Sequence, residues 1–340
     1  MFEKPEHTET AFSRRFLFKI AGGIVPLAMS GLAYSEKAAA QANDKAVWRN
    51  MSQAELDAAY DQSVYAANLE QVLRRYSNNS IAVRERIGEP KRFAFGDSAI
   101  EKLDVYQSPA SKAPIHLFIH GGAWQFGFAR DYAFPAELFV NAGAHLVVPD
   151  FTNVRDTDGN LFPMVEQVRN AIAWVYRNAA AFDGDPGRIF ISGHSSGGHL
   201  AAVALTTDWQ ADYVLPDNIL KGGLIISGMF DLYPVSLSSR RGYVNFTDET
   251  LEQLSPQRNL EKLNAPLILA YGTEESPEFI RQSVEFAERA TAAGKTIEVS
   301  VGKNYNHFEI LETLANPYGL LGREVLRQMA IYHLGSVPVN

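Results

Sequence analysis

The stretch RIFISGHSSGGHLAAVALT, residues 188–206, changes character in its middle. Its first half is a short apolar run of the kind that a strand covered on both faces requires, whereas HLAAVALT has helical composition. Between them Gly193, Ser195 and Gly197 make a G-x-S-x-G pattern. A chain that leaves a strand and enters a helix over so few residues must turn sharply, and the two glycines let strand and helix pass close together. The residue at the apex is lifted above the sheet. This context predicts a nucleophile elbow with the Ser195 hydroxyl at its tip.

The alternation of strand and helix continues outward on both sides. Upstream, RFAF (92–95) and KLDVYQ (102–107) alternate like a hairpin, and IHLFI (115–119) and HLVVPDF (145–151) are apolar runs followed by a helical stretch at 164–180. Downstream come GGLIISG (222–228), PLILAYG (266–272) and IEVSVG (297–302), with a further helical stretch at 278–294. Strands that are apolar throughout and alternate with helices predict an α/β fold, a mostly parallel central sheet with helices on both faces. Ser52 and Glu55 have capping-box spacing and open helices that precede every strand, an N-terminal flank or lid. No repeat or linker divides the chain, so residues 43–340 are expected to form a single domain.

A serine hydroxyl is a weak nucleophile without a base, so the elbow predicts an acid and then a histidine in loops after later strands. GKNYNHFEI puts His307 in a polar loop beyond the last strand. AYGTEESPEF puts Glu274 and Glu275 beyond the 266–272 strand, with Glu278 and Asp231 also near strand ends. Loop register favours Glu275 over Glu274, and Asp231 reads as a cap. His145 and His333 sit in core-like elements. His194 and His199 flank the elbow at a spacing that does not match H-E-x-x-H, so neither a metal nor another cofactor is expected.

Attack by Ser195 would create an oxyanion, which needs donors already aimed at it. FIHGGAWQFG (118–127) can supply them, because its glycines bare the backbone just after the 115–119 strand. The expected donors are the N–H groups of Gly122 and Ala123, with Ser196 giving the N–H that follows the nucleophile. Trp124, Phe126 and Phe128, together with His194, are the expected walls of a substrate pocket, with plain core packing the alternative for the aromatics.

Composition bounds the partners. The 340 residues are 46% hydrophobic and 21% charged, with a net charge of −8 and no cysteine, which leaves an oxygen or an amine as the only nucleophile. SRRFLFK (13–19) places Arg14 and Arg15 before the weakly polar run 20–34, and AQA follows at 40–42, so residues 1–42 read as a twin-arginine export signal that is removed. Its removal takes away five Lys/Arg and four Asp/Glu, leaving 26 basic against 35 acidic residues and a net charge of about −9. Such a chain suits neither nucleic acid nor an anionic membrane surface, and it is expected in the periplasm or outside the cell with no stable membrane anchor.

Taken together, HGGAW, GHSSGG, SPEF with RQ after it, and NHFEILE resemble the α/β-hydrolase serine hydrolases of the kynurenine formamidase and hormone-sensitive-lipase-like esterase group, over roughly residues 52–335. The resemblance implies the α/β-hydrolase fold, an oxyanion hole from HGGAW, Ser195 as nucleophile and His307 as base. The family's acid, usually aspartate, stands immediately before the SPEF-like tail, which falls on Glu275; glutamate keeps the charge on a longer arm. Ser196 departs from the common alanine, without loss of its backbone N–H. The implied reaction is cleavage of a small carboxylic ester, aryl amide or carbamate through an acyl-enzyme. An arylformamidase acting on N-formylkynurenine-type amides is one alternative, and a non-catalytic ligand-binding protein on the same fold is another. Ser300 with Lys303 matches S-x-x-K but lies in the last strand and its loop, which argues against a penicillin-recognising enzyme.

Overall fold

Residues 45–331 are described by a computed structural model; the export signal expected over 1–42 and His333 lie outside the described residues. Eight strands form one sheet: β1 (Lys91–Ala94), β2 (Lys102–Tyr106), β3 (Ala113–Ile119), β4 (His145–Pro149), β5 (Gly184–His194), β6 (Leu220–Ile226), β7 (Leu267–Gly272) and β8 (Ile297–Gly302). Their order is β1-β2-β4-β3-β5-β6-β7-β8. The expected hairpin is present, since β1 pairs antiparallel with β2, and β2 pairs antiparallel with β4. Every later pairing is parallel, as the apolar strands predicted.

Side chains alternate across a strand, and here the two sets enter different cores. Along β3, Ile115, Leu117 and Ile119 join one apolar cluster and Phe118 the other; along β7, Leu267 and Leu269 are separated in the same way from Ile268 and Ala270. Helices Phe162–Asn178, Ser196–Leu205 and Pro277–Ala292 cover the first face. Leu69–Ile87, Ala136–Asn141 and Leu320–Gln328 cover the second. Helical spacing makes this possible: Phe279, Phe286 and Ala290 turn one stripe of Pro277–Ala292 inward. Full burial of each such Leu, Ile, Val or Phe contributes about 1.5–3 kcal/mol. At β8 the expectation of cover on both faces fails, because this strand ends the sheet and leaves Val299 and Val301 exposed.

The N-terminal segment is a flank. Its capping box forms, with the Glu55 carboxylate accepting from Ser52 N–H (2.8 Å) and the Ser52 hydroxyl accepting from Glu55 N–H (3.4 Å). From there the chain reaches the loops that follow β7 and β8, where Gln62 donates to Ser276 and Asn68 accepts from Asn306. No helix among the described residues is long and apolar enough to cross a membrane.

Candidate active site

Ser195 stands between β5 and helix Ser196–Leu205 with φ 58° and ψ −123°. A side-chain-bearing residue in that conformation costs about 1–3 kcal/mol, so the surroundings must impose it. Ser195 N–H donates to the Ile226 carbonyl (2.9 Å), and the Ser195 carbonyl accepts from His199 N–H (3.0 Å). A Cβ on Gly197 would run into the carbonyl oxygens of Ile119 and His120, which is why the turn needs glycine there. The serine is left 7% exposed at the tip.

Of the four carboxylates weighed from the sequence, Glu275 meets the histidine. Its Oε2 accepts from His307 Nδ1 (2.8 Å), and its Oε1 accepts from the Ser227 hydroxyl and from Gly272 N–H (both 2.6 Å). A carboxylate can only accept, so Nδ1 carries a hydrogen, and in the neutral imidazole Nε2 is left with the lone pair. The other three have separate occupations. Glu274 is exposed in the loop, Glu278 is buried against Arg281 and the Tyr60 hydroxyl, and Asp231 caps helix Leu232–Leu237 by accepting from Tyr233 N–H (3.0 Å). Phe279 and Phe308 stand edge-on to the His307 ring at 4.9 and 5.0 Å, and exclude water from it. Ser195 and His307 are not joined by a hydrogen bond, as is common in sites that tighten only around substrate.

The HGGAW loop lies against the elbow. A Cβ on Gly121 would sit 2.8 Å from the His194 carbonyl oxygen and 3.2 Å from Ser195 Cβ, so only bare backbone fits. Gly122, Ala123 and Trp124 follow with φ of 123°, 54° and 61°. Among the described residues, the N–H groups of Gly122, Ala123 and Ser196 have no acceptor. Backbone donors are rarely left this way; Gly121, which precedes Gly122, lies against the Ser195 turn, and Ser196 directly follows the serine.

Two of the residues expected as pocket walls are buried. Trp124 is 2% exposed and packs into the first-face core, its Nε1 donating to His199 Nδ1 (3.3 Å). The left-handed backbone turns its side chain inward. His194 is 2% exposed, and its Nε2 donates to the His307 carbonyl (2.7 Å), so it holds the base loop. Burial, then the adjacent His307, keep the His194 imidazole well below its ordinary range. Phe126 and Phe128 are 41% and 43% exposed on the outer part of the loop. His145 is buried and accepts from Ser108 N–H, which is a packing role. No group of three or more metal-type side chains is gathered among the described residues.

Several supporting residues escaped the sequence reading. Ser227, wholly buried with φ 51°, aims its hydroxyl at Glu275. Gln62 grips Ser276, the residue after the acid, by donating to its hydroxyl (2.7 Å) and accepting from its N–H (3.3 Å). Asn68 accepts from Asn306, the residue before the base (2.9 Å), and donates to Glu309 (2.6 Å). The Tyr76 hydroxyl donates to the Phe308 carbonyl. The N-terminal flank thus braces both the Glu275 and the His307 loop. The one local signal was a serine ending the apolar run 222–228; the braces join segments more than 200 residues apart and leave no local pattern.

The sheet order, with the elbow on its central strand and an oriented imidazole beyond the last, makes the molecule a serine hydrolase of the α/β-hydrolase fold, with esters or amides as its substrates. A thermophilic esterase from Thermogutta terrifontis, solved with propionate bound, has the same fold, with a TM-score of 0.60 and 22% identity over 73% of this chain and 97% of that one. The family profile described as BD-FAE matches residues 103–222. The chain belongs to the kynurenine formamidase family: it is 30% identical to kynurenine formamidase of Danio rerio over 295 residues, spanning 83% of this chain and 98% of that protein. It is also 27% identical to esterase LipC of Mycobacterium tuberculosis over 61% of this chain and 56% of that protein.

Proposed function

We propose that Ser195 is the nucleophile, His307 the general base, Glu275 the carboxylate that orients it, and the N–H groups of Gly122, Ala123 and Ser196 the oxyanion donors. With Nδ1–H held by Glu275, His307 Nε2 takes the Ser195 proton as Oγ bonds to the substrate carbonyl carbon. The three N–H groups receive the charge that moves onto the carbonyl oxygen. Nε2 then gives its proton to the leaving alcohol or amine as the bond to the acyl carbon breaks. Water, deprotonated by Nε2, attacks the acyl-Ser195; the serine departs with the proton and a carboxylic acid is released. The observation that carries this reading is the 2.8 Å His307–Glu275 contact, with side chains 2% and 0% exposed, beside a serine in a strained turn.

The substrate proposed is a small carboxylic ester, aryl amide or carbamate. An arylformamidase acting on N-formylkynurenine-type amides is the second reading, favoured by the likeness to the Danio rerio protein along nearly its whole length. Against it stands the twin-arginine leader expected over residues 1–42, which argues for export and for an exogenous substrate met in the periplasm or outside the cell. A panel of p-nitrophenyl esters, anilides and N-formylkynurenine tests the choice. Highest kcat/KM on a short ester or anilide supports the first reading, and a tenfold advantage for N-formylkynurenine moves the assignment to the second. Arg14→Lys with Arg15→Lys should keep the protein in the cytoplasm, and periplasmic recovery of that variant would overturn export by this route.

A further inference from the structure

The Glu275 side chain is 0% exposed, and among the described residues His307 is its one ion-pair partner. A carboxylate buried without a lysine or arginine depends on hydrogen-bond donors to match its oxygens. Three donors meet it from three elements. His307 Nδ1, beyond β8, reaches Oε2 (2.8 Å), while the Ser227 hydroxyl, directly after β6, and Gly272 N–H, at the end of β7, both reach Oε1 (2.6 Å each).

Ser227 stands where glycine would be easier. Its φ of 51° lies in the left-handed region, and its N–H donates to the Ala270 carbonyl on β7 (2.7 Å), so the backbone is held there whatever the side chain. What serine adds is a wholly buried hydroxyl, with Glu275 as its partner. The torsion that sets the plane of a carboxylate is broad and roughly two-fold, so a glutamate does not by itself keep one oxygen on an imidazole. Two donors on the other oxygen do.

The backbone that carries the acid is fixed as well. Glu274 N–H donates to the Tyr305 carbonyl (3.1 Å), Glu275 N–H to the Gly272 carbonyl (3.3 Å), and the Ser276 hydroxyl to the Ala59 carbonyl (2.6 Å). A Cβ on Gly272 would run into the Tyr305 carbonyl oxygen, so the loops of acid and base lie in direct contact. On a frame held this way the length of the acid matters. Aspartate would draw the carboxylate back by one carbon–carbon bond, about 1.5 Å, which is more than a hydrogen bond tolerates.

Resting on the hydrolase reading above, we infer that Ser227 is a positioning residue for the reaction, matched to glutamate at position 275. With Gly272 N–H it fixes the carboxylate plane, so that Oε2 stays on His307 Nδ1 while Nε2 takes the Ser195 proton and later gives it up. No proton leaves Ser227 or reaches Glu275 in this cycle. An aspartate at position 275 is divided between Ser227 and His307, because it reaches one only by giving up the other.

A double-mutant cycle on the full chain, with p-nitrophenyl acetate as substrate, tests the match. Ser227→Ala should lower kcat about tenfold with KM within about twofold. Ser227→Gly, which removes the hydroxyl but eases the backbone, should lose as much kcat while melting no lower than Ser227→Ala, and it replaces alanine in the cycle should that variant fail to fold. Glu275→Asp should lower kcat about 10²-fold in the wild type and only about tenfold further once Ser227 is gone, because nothing then competes with His307 for the shorter carboxylate. The downfield proton NMR signal of His307 Nδ1–H should shift or broaden in Ser227→Gly, which a role in folding alone would not cause. Wild-type kcat in Ser227→Gly, equal fold-losses for Glu275→Asp in both backgrounds, or an unchanged Nδ1–H signal in folded Ser227→Gly would overturn the inference. Failure of the hydrolase reading looks different, with no turnover of any ester and no covalent labelling of Ser195 by a fluorophosphonate; the Nδ1–H signal then decides whether Ser227 holds Glu275 to His307.

Discussion

Ser192 and Ser195 stand three residues apart on and beside β5, Ser192 with His116 and Ser195 with His307, and in the proposed mechanism only the second couple reacts. Ser192 and His116 share a 2.6 Å hydrogen bond, and both are wholly buried. Ser195 and His307 share none. By contact alone the inert couple is the better one. What it lacks is everything around the contact: Ser192 lies in the regular part of β5, His116 Nδ1 has no partner, and Phe139 stacks on the ring at 4.5 Å. Burial pushes the His116 imidazole down to about 3, so at neutral pH it has little capacity to take a proton. His307 instead has the Glu275 carboxylate on Nδ1, which in the neutral ring leaves the lone pair on Nε2. In the proposed mechanism reactivity comes from an oriented imidazole and a serine held in a strained turn, not from serine touching histidine.

The comparison breaks most sharply at the two serines. Ser195→Ala should lower kcat by about 10⁴- to 10⁶-fold with the melting temperature little changed, whereas Ser192→Ala should leave kcat within about threefold. Next in size is the acid. Glu275→Gln should lower kcat by about 10²- to 10⁴-fold, because the amide can donate to Nδ1 and stabilise the wrong tautomer, while Glu274→Gln should cost less than about tenfold. Steady-state kinetics on one neutral ester checks both, and a large loss in Glu274→Gln with a normal Glu275→Gln would reverse the assignment of the acid.

The braces come third. Asn68→Ala and Gln62→Ala should each lower kcat about tenfold with KM nearly constant, since they act on the placing of base and acid and not on substrate. An effect on KM alone would contradict a positioning role. The smallest effect is on stability. Ser192→Ala leaves a buried imidazole nitrogen unpaired and should cost about 1–3 kcal/mol in denaturant unfolding.

The buried histidines also set a pH dependence. Burial lowers His116 to about 3 and His199 to about 4 from an ordinary 6.5. Below pH 6.5 the unfolded chain therefore binds protons that the fold refuses, so stability is full above that pH and is lost progressively as pH falls toward 3–4. Denaturant titrations at pH 7, 5.5 and 4.5 should follow that fall, and His116→Gln should flatten part of it.

The backbone-driven parts of the site were legible in the sequence. Gly121 and Gly197 are fixed because a Cβ would meet neighbouring backbone, and such demands write themselves into a short motif. The chain order of serine, acid and histidine was legible because each follows a strand end. For Trp124 the sequence left two readings open, because an aromatic in a glycine loop does not declare which side of the loop it faces; in the fold it packs into the core. Gln62 and Asn68 gave no local signal, since their partners are set by how the N-terminal flank packs.

The central claim, that Ser195 and not Ser192 is the reactive hydroxyl, is tested most directly by fluorophosphonate labelling with peptide mapping by mass spectrometry. One adduct per chain on Ser195 is expected, retained in Ser192→Ala, much slowed in His307→Ala and absent in Ser195→Ala. An adduct on another residue, or undiminished labelling of Ser195→Ala, would contradict it.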